Sequence, residues 1–148
     1  MRTYLAKFLA LFVLLSSQFA MADPAVYLNN SGVALSGNEP IEYFTAKAPV
    51  KGLATLSIQY HNATYWFASQ ENRTSFLAEP HRYAPQYGGY CAYAAALGKK
   101  APGDPTQWSV VEGKLYINYD ARIQKLWLSD APGYIKSADS KWGDLQNN

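Results

Sequence analysis

The chain has 148 residues, of which 13 are basic and 11 are acidic, for a formal net charge of +2. This length suits a single domain with one core. The sequence has no run of basic residues and no helix rich in lysine and arginine, so the charged surface that binds nucleic-acid phosphates is lacking. We therefore predict no nucleic-acid partner.

The first 22 residues have the pattern of a secretory signal peptide. Two basic residues precede an apolar run over residues 8–15, and small residues lead up to Ala22. The apolar run is shorter than the roughly 20 residues that span a bilayer. We predict cleavage after Ala22, a periplasmic or secreted protein of residues 23–148, and no stable membrane insertion after cleavage. An uncleaved membrane anchor is the alternative.

The predicted mature chain is electrically neutral and has one cysteine. Removal of residues 1–22 takes two basic residues and no acidic one, which leaves 11 of each. Cys91 is the single cysteine, so the chain can form no internal disulfide, although small exported domains often use them. Packing of its 4 tryptophans and 11 tyrosines, one fewer than in the whole chain because Tyr4 is removed, must supply the stability instead.

The first half of the chain predicts one hairpin with a helix on either side. Residues 53–60 alternate between apolar and polar side chains, His61-Asn62 forms a turn, and an aromatic segment follows. Ser69 is a suitable N-cap, and Pro80 ends the helix that follows it. We predict an extended arm over residues 26–34, a short helix over 40–44, the hairpin over 53–67 and a longer helix over 69–78.

The second half predicts a short helix, another hairpin and two more helices. Gly98 suits the end of the alanine-rich helix, and Glu112-Gly113 suits a hairpin turn. We predict an irregular segment over residues 83–89, a short helix over 90–97 and an exposed loop over 99–105. A hairpin over 108–119 and helices over 120–127 and 132–145 follow. We therefore predict a small single α+β domain, with two antiparallel hairpins packed against several short helices.

No catalytic or nucleotide-binding motif occurs in residues 23–148. The sequence lacks a phosphate-binding glycine loop, a Gly-x-Ser-x-Gly elbow and a Cys-x-x-Cys pair. Its carboxylates are scattered singly, without a pair suited to acid–base catalysis. These absences favour a non-enzymatic protein.

Two segments, YWFAS at residues 65–69 and RYAPQYGGYCA at residues 82–92, resemble the YHS domain in its small exported bacterial form. Residues 37–44 and 113–119 also resemble that form, so the similarity covers nearly all of the predicted mature chain. Related domains occur in copper-transporting ATPases and oxygenase components, where cysteines suit soft metals. The resemblance therefore implies a metal-handling ancestry and a periplasmic metal or protein partner.

This chain departs from the metal-binding relatives at two positions. Ala68 and Asn72 stand where those relatives would have cysteines, so that ligand set is absent. Cys91 lies instead in the Tyr-Gly-Gly-Tyr-Cys-Ala stretch that the exported form shares. The predicted position of Cys91, in the first turn of a helix, favours a reactive thiolate.

Cys91 has two interpretations on the sequence alone. In the first, it binds a soft metal such as copper, or zinc, together with His81 or His61. In the second, it is a small apolar residue in the core. His81 also suits a helix C-terminus, and His61 suits a solvated turn.

A ligand-binding loop is predicted just before Cys91. Two glycines in this loop allow a ligand to approach the backbone closely. The predicted loop consists of Tyr87, Gly88, Gly89 and Tyr90. Neighbouring aromatic rings suit a planar ligand, although core packing also explains them.

Three functions follow from these patterns. The first is an exported, non-enzymatic module that binds a metal or a metal-bearing partner through the loop from His81 to Cys91. The second is a thiol redox protein that exchanges disulfides through Cys91, although the chain has no resolving cysteine. The third is a structural interaction module in which Cys91 is buried and inert.

Overall fold

The computed structural model describes residues 25–148, so the predicted signal peptide lies outside the described residues. Within the described part, two antiparallel two-stranded sheets and six helices form one small α+β domain, as predicted. No helix in this part is both long and apolar enough to cross a membrane.

The helices and strands follow one another in two similar halves. The strands are β1 (Leu53–Tyr60), β2 (Ala63–Phe67), β3 (Asp104–Val111) and β4 (Lys114–Asn118). The helices are α1 (Glu42–Thr45), α2 (Gln70–Ala78), α3 (Pro80–Tyr83), α4 (Ala92–Ala96), α5 (Ala121–Leu128) and α6 (Ala131–Leu145). Short 3-10 turns cover Leu35–Gly37 and Gln86–Gly89.

Both predicted hairpins are present, and each turns through two residues. β1 pairs with β2 around His61-Asn62, whose φ angles are 49° and 60°. β3 pairs with β4 around Glu112-Gly113, with φ angles of 50° and 73°. Two consecutive positive φ angles match the twist of an antiparallel pair, so these turns set the register next to them. In each hairpin the register shifts farther from the turn.

Local capping residues start two of the predicted helices. The Ser69 hydroxyl accepts a hydrogen bond from the N–H of Asn72 at 3.1 Å, at the start of α2. The Asp120 carboxylate accepts from the N–H of Ile123 at 2.7 Å, at the start of α5. Each cap satisfies a backbone N–H that has no partner inside its helix.

Strand β4 is buried on both faces. Leu115 and Ile117 belong to one hydrophobic cluster, with side chains of the first hairpin and of α2. Tyr116, on the opposite face of the strand, belongs to a second cluster that includes Trp127 of α5 and Ala138 of α6. β4 thus separates and joins two cores.

The prediction of an exposed loop over residues 99–105 is wrong. Gly103 and Pro105 are buried, and β3 already begins within this segment. The Cys91 N–H donates to the Ala101 carbonyl at 3.0 Å. Polar residues and prolines indicate that a segment lacks regular structure. They do not indicate whether that segment packs against another part of the backbone, as this one does.

Glu39 is fully buried and accepts four hydrogen bonds. Three come from the backbone N–H groups of Ile41, Glu42 and Ala68. The fourth comes from the Asn72 side-chain amide at 2.8 Å, and the same amide nitrogen also donates to Glu42 at 2.8 Å. One side chain therefore ties the segment before α1 to the end of β2 and the start of α2.

Replacing Glu39 should therefore destabilise the whole fold. We expect Glu39→Ala to lower the free energy of unfolding by about 3 kcal/mol or more, because several buried donors lose their acceptor. Urea denaturation of residues 23–148 measures the change. As a control, Glu71→Ala in the exposed first turn of α2 should cost less than about 1 kcal/mol. Equal losses in the two variants would contradict this role of Glu39.

Candidate functional site

A cleft of about 500 Å³ lies where elements packed on the two cores meet. The first hairpin contributes Tyr60, His61 and Tyr65 to its lining, and α3 contributes His81. Lys114 lies at the start of β4, α6 contributes Asp139, Trp142 and Gly143, and Gln146 follows at the C-cap of α6. We call this site the histidine cleft.

Both histidines of the cleft contact the same tyrosine. The hydroxyl of Tyr60 lies 3.0 Å from Nδ1 of His81, and the rings of Tyr60 and His61 meet edge to face at 4.2 Å. Burial raises the pKa of Tyr60, so this hydroxyl stays protonated at neutral pH. The sequence predicted each histidine separately, but nothing in its spacing indicated that Tyr60 would join them.

A second tyrosine of the cleft lining is held by α6. The hydroxyl of Tyr87 donates to the Asp139 carboxylate at 2.8 Å. Burial, and next this hydrogen bond, raise the pKa of Tyr87 well above its ordinary value. The Trp142 ring packs on Tyr87, with ring centroids 5.7 Å apart. Tyr87 therefore stays neutral and donates a hydrogen bond to the carboxylate of Asp139.

Lys114 forms no ion pair with the part of the chain that the structure describes. Within residues 25–148, the one ion pair closer than 4 Å joins Arg82 to Glu79, and both of those side chains are exposed. The ammonium group of Lys114 is exposed at the cleft, next to the turn of the second hairpin. It is thus available to an incoming anion.

Cys91 lies in the core, with 1% of its surface exposed. It occupies the N-cap position of α4, one residue before the first turn that the sequence predicted. Its Sγ lies 3.7 Å from Oδ1 of the buried Asn118, and the same oxygen accepts from the N–H of Tyr93 at 3.2 Å. Asn118 therefore caps α4 in place of the cysteine.

The predicted metal ligands are not brought together. His61 and His81 line the histidine cleft, whereas Cys91 does not line it and is buried. Residues 25–148 contain no group of three or more histidine, cysteine or acidic side chains that could hold a metal ion. Asn72, one of the two positions predicted to lack a cysteine ligand, hydrogen-bonds two glutamates. The donor set therefore does not fit the implied copper or zinc site.

The glycines of the predicted ligand loop are approached by the chain itself. A Cβ atom on Gly88 would lie 1.9 Å from the carbonyl oxygen of Ala25. The N–H of Tyr27 donates to the Gly88 carbonyl at 2.9 Å, and the Gly89 carbonyl faces Gly103. Only the first two residues of the predicted loop line the cleft.

Comparison with known proteins identifies no relative of this chain. No protein-family model, no curated protein and no solved structure matches it. The similarity to the YHS domain therefore rests on the sequence motif, and the functional interpretation rests on the geometry of the histidine cleft.

The close contact at Gly88 predicts a large effect of a small substitution there. Gly88→Ala should lower the free energy of unfolding by about 2 kcal/mol more than Gly113→Ala, because only the first displaces the Ala25 backbone. Both glycines have positive φ, at 60° and 73°, and Gly113 has open space around it. Urea denaturation of the two variants measures the difference. Equal stabilities would show that packing of the Ala25 backbone does not require a glycine at position 88.

The burial of Cys91 predicts a protected thiol. In native residues 23–148 an alkylating reagent should label Cys91 only as fast as the protein opens, and at once in denaturant. Cys91→Ala should cost about 1 kcal/mol or somewhat more through lost volume. Rapid labelling of the native protein would contradict the buried position.

Proposed function

We propose that residues 23–148 form an exported, non-enzymatic binding module, periplasmic or secreted, whose recognition site is the histidine cleft. The observation that supports this is the convergence of His61 and His81, from different elements, on Tyr60 at a cleft of about 500 Å³. Cavities of roughly 300–1,000 Å³ accommodate small ligands. The signal-peptide pattern and the resemblance to the exported YHS form support export.

The chemistry of the cleft favours binding over catalysis. His81 and Tyr60 form a pair that resembles a base and a nucleophile. However, burial raises the pKa of Tyr60 and so disfavours the anion that a nucleophile would need. The carboxylate of Asp139 is already bonded to a tyrosine hydroxyl.

The two alternatives that use Cys91 have less support. A disulfide-exchange protein needs an accessible thiolate, and this thiol is buried. A metal site that uses Cys91 needs further ligands beside it, and both histidines lie at the cleft instead. A purely structural module is compatible with the buried cysteine, and it differs from our proposal in predicting no ligand at the cleft.

Gly143 offers a way to fill the cleft without disturbing the fold. It lies on α6 four residues after Asp139 and three before the C-cap residue Gln146, so the three share one face. A Cβ atom at Gly143 meets nothing within 4 Å. Gly143→Leu should therefore project into the cleft, and it should also favour the helix by about 0.5–1 kcal/mol.

Binding should be lost in this variant while stability is kept. Small aromatic and polar fragments, added to isotope-labelled residues 23–148, should shift the NMR signals of His61, His81 and their neighbours. Gly143→Leu should abolish these shifts and should not lower the melting temperature. Asp144→Leu, one residue further along and outside the cleft lining, is the control and should bind like the unchanged protein. Equal binding by both variants would contradict the proposal.

A further inference from the structure

We propose that the ligand of the histidine cleft is a small aromatic carboxylate, a molecule with a flat apolar body and a single anionic group. This inference rests on the proposed function and adds the chemical class of the ligand. It follows from two separate features of the cleft, the nature of its walls and the balance of its charges.

The walls of the cleft suit an aromatic body. The lining includes the partly exposed rings of Tyr60 from the first hairpin and Trp142 from α6. Tyr65, Val26 and Pro85 also line it but are largely buried. Aromatic rings at the edge of such a site bind flat molecules by offset or edge-to-face stacking.

The polar groups of the cleft favour an anion over a cation. Lys114 has no carboxylate within 4 Å in residues 25–148, and Nε2 of His81 has no hydrogen-bond partner there. Both can donate to a ligand carboxylate. A ligand cation would find only Asp139, whose carboxylate already accepts from Tyr87.

Lys114 is the residue whose replacement tests this charge balance. It is the first residue of β4 and its side chain is exposed, so Lys114→Gln removes the charge without opening either core. Lys125 is exposed on α5 and does not line the cleft, so Lys125→Gln is a matched control for the loss of one positive charge.

The test compares three probes of nearly the same shape on residues 23–148 by calorimetry and NMR. They are 3-phenylpropionate, its neutral amide 3-phenylpropionamide, and the cation 3-phenylpropylamine. We expect the carboxylate to bind in the cleft at least about fivefold more tightly than the amide or the amine, a difference of about 1 kcal/mol, which is what an exposed ion pair can contribute. Lys114→Gln should remove this preference by weakening carboxylate binding, and Lys125→Gln should change nothing.

The outcomes separate this inference from the proposed function. Equal binding of carboxylate and amide, blocked by Gly143→Leu, would overturn the ligand class and leave the cleft as the binding site. Carboxylate binding that survives Gly143→Leu would overturn the cleft itself. No binding of the carboxylate at millimolar concentration would also overturn the inference.

Discussion

The burial of β4 on both faces is the constraint on which the rest of the structure depends. A strand in a two-stranded sheet usually has one face in water, but here Leu115 and Ile117 point into one core and Tyr116 into the other. The first hairpin and α2 pack on one side, and α5 and α6 pack on the other. The histidine cleft opens where these two sets of elements meet, next to Lys114 at the start of the strand.

Two buried polar side chains, Glu39 and Asn118, join segments of the chain that are not joined by helix or sheet hydrogen bonds. Glu39 joins the chain before α1 to the end of β2 and to α2, and Asn118 caps α4 beside Cys91. The two carboxylate oxygens of Glu39 accept from three backbone N–H groups and one amide, and Oδ1 of Asn118 accepts from the N–H of Tyr93. A domain without disulfides thus obtains part of its rigidity from polar contacts inside its cores.

The sequence predicted the turns and helix starts that depend only on neighbouring residues. The hairpin turns at His61-Asn62 and Glu112-Gly113, and the helix start at Ser69, are all local signals. It did not predict the burial of residues 99–105 or the contact of His81 with Tyr60, because both depend on packing against another segment and not on neighbouring residues. For Cys91 it left two interpretations open, since a helix N-terminus and a core position have the same local pattern.

The most direct test of the account is a crystal structure of residues 23–148 soaked with 3-phenylpropionate. The account predicts that the phenyl ring lies against Trp142 or Tyr60 and that the carboxylate lies within hydrogen-bonding distance of Lys114. It also predicts that Cys91 remains buried and apart from the ligand. A ligand bound elsewhere on the protein, with only solvent in the histidine cleft, would contradict the account.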